Sequence, residues 1–190
     1  MEQDRITGAR TLGADLRALR KARGLTLSAL ARALGRSVGW LSQVERDKSE
    51  PSISDLRRIA HELGVPISLL FTRASAPAAE QGYVVRAGAR RPLGSGGEGL
   101  VEELLSPDLT DDFEVIHSTF HPRSEMQAPA ARPTREVGYV VSGTLELRIG
   151  TRWFTIGQGD SFRLRGEEYC WANPHDTPCV AIWVIAPPVY

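Results

Sequence analysis

Gln43 is the side chain in this sequence best suited to reading a nucleic-acid base, because its amide can contact adenine N6 and N7 together. Ser42 lies beside it, and Ser37, Val38 and Gly39 lie one helical turn earlier, so a helix carrying all five turns them toward one groove. Val38 suits a thymine methyl group, and Gly39 would let the helix sit deep. These residues act only if an element holds them outward, and the flanking pattern supplies one. Leu30, Ala31 and Leu34 repeat at helical spacing, Gly35 breaks the pattern, and Leu41 and Val44 resume it. Ala31 is small enough for two helices to cross closely. Gly35 tolerates the positive φ of a tight turn, and Ser37 can cap the second helix. The spacing predicts a helix-turn-helix over residues 27–46, with its second helix shaped for a DNA major groove.

The same logic extends the helical region. Leu12, Leu16 and Leu19 mark an earlier amphipathic helix that stops at Gly24, and Thr26 is placed to cap the next. Ser52 opens another helix (Ile53, Leu56, Ile59, Ala60, Leu63) that stops at Gly64, and Pro66 begins a last short turn with Ile67, Leu70 and Phe71. A bundle of five short helices is expected over residues 1–72.

Residues 73–82 are small, polar and Pro-containing, and read as a linker. From Tyr83 to Tyr190 the texture is one of short β-type runs, clearest at Phe113–Phe120, Gly138–Val141, Thr144–Ile149, Trp153–Ile156, Ser161–Leu164 and Val180–Ile185. Leu145, Leu147 and Ile149 alternate with Glu146 and Arg148, apolar on one face and charged on the other. Evenly spaced short strands joined by tight turns predict a β-sandwich or jelly-roll barrel with its core over residues 113–186. The fold class is thus α+β multidomain.

The 190 residues have a hydrophobic fraction of 42% and a charged fraction of 24%, ordinary for a globular protein. No apolar run approaches the roughly 18 residues of a membrane span. The N-terminus lacks a signal-peptide pattern, so a cytoplasmic location is expected, with Cys170 and Cys179 reduced and packed on strands. A net charge of zero conceals a division. Residues 1–73 carry 13 Lys/Arg against 8 Asp/Glu, a balance of +5, and the remainder carries 10 against 15, a balance of −5. That asymmetry suits a helical half facing a polyanion.

Residues 10–72 resemble the Cro/repressor type of helix-turn-helix, the XRE family. The resemblance lies in Leu16-Arg17-x-Leu19-Arg20, Gly24-Leu25-Thr26, Leu30-Ala31, Leu34-Gly35, Leu41-Ser42-Gln43-Val44-Glu45-Arg46 and Pro51-Ser52 with Leu56 and Ile59-Ala60. It implies base contacts from Ser37, Val38, Gly39, Ser42 and Gln43. Arg36 and Lys48 would hold phosphates, helped by the backbone near Thr26 and Ser49. Arg20 and Glu45 match positions that pair across the bundle, and an ion pair is expected there rather than a DNA contact. Trp40 suits either a sugar-phosphate contact or an apolar anchor onto the next helix.

Residues 113–186 resemble the cupin fold, and the combination resembles bacterial XRE–cupin regulators. The matching pieces are Pro133-x-x-Glu136, Gly138-Tyr-Val-Val-Ser-Gly143-Thr-Leu-Glu-Leu, Gly159-Asp160-Ser161-Phe162 and Trp171-Ala-Asn173-Pro174. Metal-binding cupins place histidines where this chain has Ala130, Arg132 and Tyr169, so no metal and no other cofactor is expected although Glu136 is retained. His61, His117, His121 and His175 show no ligand spacing. If Arg132 points inward as the family's ligand would, its fork suits a carboxylate or phosphate, with Glu136, Tyr169 and Trp171 sharing the interior. The competing expectation is an internal Arg132–Glu136 salt bridge with no ligand.

These readings converge on a non-enzymatic, homodimeric regulator on a palindromic operator, with a small-molecule effector, anionic on the Arg132 argument, in the cupin domain. Two alternatives remain open in the sequence: a cupin enzyme with a DNA-binding head, and an antitoxin-like protein whose β domain grips a partner protein.

Overall fold

The computed structural model describes residues 11–65, 67–71, 78–80, 82–95, 99–107, 109 and 111–189. Two compact units emerge, a helical one reaching to Arg90 and a β unit made of residues 91–106 and 112–189. Most of the expected linker, residues 73–82, lies outside the described residues, as do residues 1–10 and Pro66.

In the helical unit α1 spans Leu12–Ala22, α2 Leu27–Ala33, α3 Val38–Val44 and α4 Ile53–Leu63. Each start is capped by a hydroxyl: Thr11, Thr26, Ser37 and Ser52 accept from the backbone N–H three residues on. Ser52 and Asp55 complete a reciprocal capping box. The expected five-helix bundle is corrected to four helices plus a single-turn segment, Ile67–Phe71. Five residues barely exceed one α-helical turn, too few to propagate beyond a costly nucleus. Leu16, Leu19, Leu30, Ala31, Leu34, Leu41, Val44, Leu56, Ile59 and Leu63 form the buried interior. Gly13 permits the closest helix contact, since a Cβ there would lie 2.4 Å from the Val44 carbonyl oxygen at the end of α3.

The β unit contains β1 (Arg91–Ser95), β2 (Leu100–Leu104), β3 (Glu114–Phe120), β4 (Ser124–Glu125), β5 (Arg135–Ser142), β6 (Thr144–Ile149), β7 (Arg152–Gly157), β8 (Ser161–Leu164), β9 (Tyr169–Asn173) and β10 (Cys179–Ala186). They form a six-stranded sheet, β1-β2-β3-β10-β5-β8, and a four-stranded sheet, β4-β9-β6-β7, with antiparallel pairing throughout. Of the expected β-sandwich or jelly-roll barrel, the barrel form is corrected, since among the described residues the two sheets stay open. The edge strands explain this. β4 has two residues and β8 four, too short a ladder to join one sheet to the other.

Between the sheets lies a single apolar cluster that includes Phe120, Val140, Leu145, Leu147, Leu164, Trp171, Trp183 and Ile185. Phe120 and Trp171 meet edge to face across the two sheets, with centroids 4.8 Å apart. Asn173, fully buried, donates to the Phe120 and Thr177 carbonyls and accepts from the His175 N–H, tying the end of β9 to β3 and to the following turn. Both cysteines are free; Cys179 is buried, and burial pushes its thiol up to about 11.

Gly143 passes the chain from β5 in one sheet to β6 in the other. Its φ is +80°, and a Cβ there would approach the Pro178 carbonyl oxygen to 2.4 Å. Gly143→Ala is therefore expected to destabilise the protein by more than about 1 kcal/mol, measured by urea unfolding.

Candidate nucleic-acid interface and interior cavity

The helix α3 turns Leu41 and Val44 inward, where both are buried, and leaves Val38, Gly39 and Gln43 exposed with Ser42 half-buried. Positions 38 and 42, like 39 and 43, lie four residues apart and share one side of the helix. Ser37 stands at its start, its hydroxyl accepting from the Trp40 N–H. Thr26 occupies the equivalent place on α2, accepting from the Ala29 N–H. Lys48 is exposed and Ser49 half-buried in the turn that follows α3.

Two ion pairs, one buried and one half-exposed, set the pose of this surface. Arg20 donates from Nε to Glu45 Oε1 at 2.6 Å and from Nη2 to Oε2 at 2.9 Å, clamping α1 to the end of α3. A further bond from Nη1 reaches the Leu25 carbonyl at 2.8 Å, just before α2. The Glu45 side chain is only 5% exposed and that of Arg20 11%, so each charge depends on the other for solvation.

Arg36, the expected phosphate holder, is paired within the bundle while its side chain stays partly exposed. Its Nε and Nη2 both donate to Asp55 Oδ1, at 3.1 and 2.7 Å, and its guanidinium lies over the Trp40 ring at 5.0 Å. Asp55 belongs to the capping box of α4. Burial raises its pKa, but bonds from Ser52 and Arg36 outweigh this and hold the carboxyl below the usual range. Trp40 is thus linked to α4 indirectly, through the Arg36 guanidinium that lies over its ring and bonds Asp55. The role of Asp55 is not visible in the sequence, where it reads as an N-terminal helix charge.

In the β unit, Arg132, Glu136, Tyr169 and Trp171 line one cavity of about 50 Å³. Glu136 points inward from β5, and Tyr169 and Trp171 point inward from β9. Arg132 sits in the segment before β5, which a backbone bridge from Ala130 to Tyr169 fastens to β9. The expected alternative of an Arg132–Glu136 salt bridge does not form among the described residues. Glu136 Oε1 instead accepts from the Thr134 hydroxyl at 2.5 Å, while Oε2 is buried with no partner among the described residues.

Glu102 and Trp183 also line this cavity. Sequence reasoning missed both. Glu102 lies on β2, ahead of the clearest expected strands, which begin at Phe113, although Leu100, Glu102 and Leu104 already alternate with Val101 and Glu103. Burial raises the pKa of Glu102, opposed by Arg132 and by the Ser118 hydroxyl and reinforced by Glu136. Tyr169 is likewise raised by burial. A third acid, Glu114, is fully buried at the start of β3, with Oε1 accepting from the Val189 N–H. Burial pushes it up to about 7. No group of three or more His, Cys, Asp or Glu side chains converges among the described residues.

Residues 11–70 match the model of a helix-turn-helix domain, and residues 116–185 match that of a cupin domain. The HTH-type transcriptional regulator SutR of Escherichia coli (strain K12) is 30% identical over 161 residues, covering 84% of each chain. The chain belongs to the HTH-type transcriptional regulators. Its head is XRE-type and its second domain a cupin. Among solved structures, an HTH_3 family transcriptional regulator from Vibrio cholerae is 25% identical, covering 94% of this chain and 96% of that one, with a TM-score of 0.43. Hydroxypropylphosphonic acid epoxidase from S. wedmorenis is 16% identical, covering 96% of this chain and all of the other, with a TM-score of 0.46. No helix among the described residues is long and apolar enough to cross a membrane.

Two outcomes follow for this regulator. Glu45→Ala should cost about 3 kcal/mol by stranding Arg20, and a double-mutant cycle with Arg20→Met should show strong coupling in urea unfolding. The raised pKa of Glu114 means the folded state holds a proton that the unfolded chain releases near 4.5. Its contribution is complete below that pH and is lost as pH climbs toward and past about 7, by about 3 kcal/mol at most. Glu114→Gln should therefore gain stability relative to wild type between pH 5 and pH 8, measured by unfolding at each pH.

Proposed function

We propose that this transcriptional regulator acts in the cytoplasm as a homodimer on a palindromic operator, with a small-molecule effector held between the sheets of its cupin domain. The observation that carries the first part is the outward set on α3. Val38, Gly39, Ser42 and Gln43 are turned away from a core that takes Leu41 and Val44. Gln43 reads a base edge, Val38 meets a methyl group, and Ser37, Thr26, Lys48 and Ser49 position the backbone. Arg36, paired with Asp55, shapes the edge of this surface and leaves its Nη1 group to a phosphate.

One α3 reads only a few base pairs, so a second copy is needed for a site of useful length. Val137, Tyr139, Val141 and Val184 support pairing of two copies, since they are exposed on the outer face of the six-stranded sheet with Val137 and Val184 in register.

The cavity supports the effector reading, with Arg132 as the group that takes an acid. A resident metal does not fit this donor set. Glu136 stands beside Arg132 and Tyr169 where histidines would be required, and a guanidinium in the same interior repels a cation. A metal-dependent enzyme therefore has no support from the residues present.

Selection of bound fragments from a random DNA pool tests the reading. A palindrome with half-sites about 34 Å apart is expected, released when the pool is repeated with a mixture of small metabolic acids. Gln43→Ala should relax one position of each half-site by about 1–3 kcal/mol. Absence of any preferred sequence would overturn the DNA reading, and release by none of the compounds would overturn the effector reading.

A further inference from the structure

We propose that the interior cavity of the cupin domain takes a small zwitterion, with its ammonium group on Glu136 and Glu102 and its carboxylate on Arg132 and Trp183. This deepens the effector reading above and rests on it.

Glu136 is 2% exposed, lines the cavity, and has one carboxylate oxygen without a partner among the described residues. A buried carboxylate oxygen left unpaired carries a large desolvation penalty, and a charged N–H donor relieves it best. Trp183 supplies the opposite case. Its indole Nε1 is buried with no acceptor among the described residues, in the wall of the same cavity. An indole N–H only donates, so it seeks an acceptor. The cavity therefore presents one unfilled acceptor and one unfilled donor together.

The charges agree with this pairing. Two carboxylates, Glu102 and Glu136, face the cavity with one guanidinium, Arg132. A simple anion would enter a site that already has more acid than base. A simple cation would leave Arg132 and the Trp183 N–H without an acceptor. A molecule with both charges meets both demands. Trp171 and Tyr169 add aromatic surface to the lining, which suits an ammonium and disfavours water.

Size narrows the class further. A cavity of about 50 Å³ accommodates a handful of non-hydrogen atoms, far below the roughly 300 Å³ or more of drug-sized pockets. The fit is to an α-amino acid with a very small side chain, or to its β analogue.

Calorimetric titration of the full chain with glycine, alanine and β-alanine, beside propionate and ethylamine, tests the proposal. At least one amino acid should bind ten-fold or more tightly than either half-molecule. Glu136→Gln should erase that advantage over propionate, and Trp183→Phe should erase much of the advantage over ethylamine. If Glu136→Gln fails to fold, the wild-type comparison alone decides. Propionate binding as tightly as alanine would overturn the zwitterion and leave an acid-binding effector site standing. Ethylamine binding as tightly as alanine would overturn the carboxylate half. Binding of no compound would overturn the zwitterion and leave ordered water as the cavity's occupant, while the effector reading itself is decided separately by operator release.

Discussion

The clamp between Arg20 and Glu45 lies under everything the helical unit presents. Neither side chain is solvated enough to stand alone, and the arginine fork divides its donors between two tasks. Two arms hold the end of α3 against α1, and the third fixes the carbonyl of Leu25 where the chain enters α2. The orientation of α3 is therefore set from behind, by charge, while its apolar side is set by Leu41 and Val44. What remains outward is determined by subtraction. The close approach at Gly13 belongs to the same contact, because Asp47 accepts from its N–H just beyond the clamp.

Much of the helical unit was legible because its signals are local. Caps and stops at Thr26, Ser37, Ser52 and Gly64 work within one turn of backbone, and the structure places helix boundaries at them. The terminal segment Ile67–Phe71 shows the limit of such signals, since periodicity over one turn cannot reveal whether a helix continues. In the β unit the interior runs such as Thr144–Ile149 stood out by alternation. β1 and β4 did not, because β1 carries a Pro and a Gly within five residues and β4 has only two residues to read.

The cavity was half legible for a related reason. Arg132, Glu136, Tyr169 and Trp171 lie close in sequence to recognisable cupin pieces, so a resemblance could carry them. Glu102 and Trp183 reach the same space only through sheet order, β2 beside β3 and β10 beside β5, which no local spacing encodes. The unpaired Oε2 of Glu136 is less visible still. It depends on Thr134 engaging the other oxygen and on Arg132 standing off, both matters of three-dimensional distance.

The Arg36–Asp55 pair also bears on adhesion to DNA of any sequence. DNA affinity in simple salt is driven largely by cations that the protein displaces from the phosphate backbone, one for each phosphate it neutralises. An arginine whose charge is already met by Asp55 displaces little. The face around α3 thereby carries less indiscriminate attraction to any duplex than its arginines alone suggest. A positive residue count in the helical half overstates how strongly that half adheres to DNA it does not recognise.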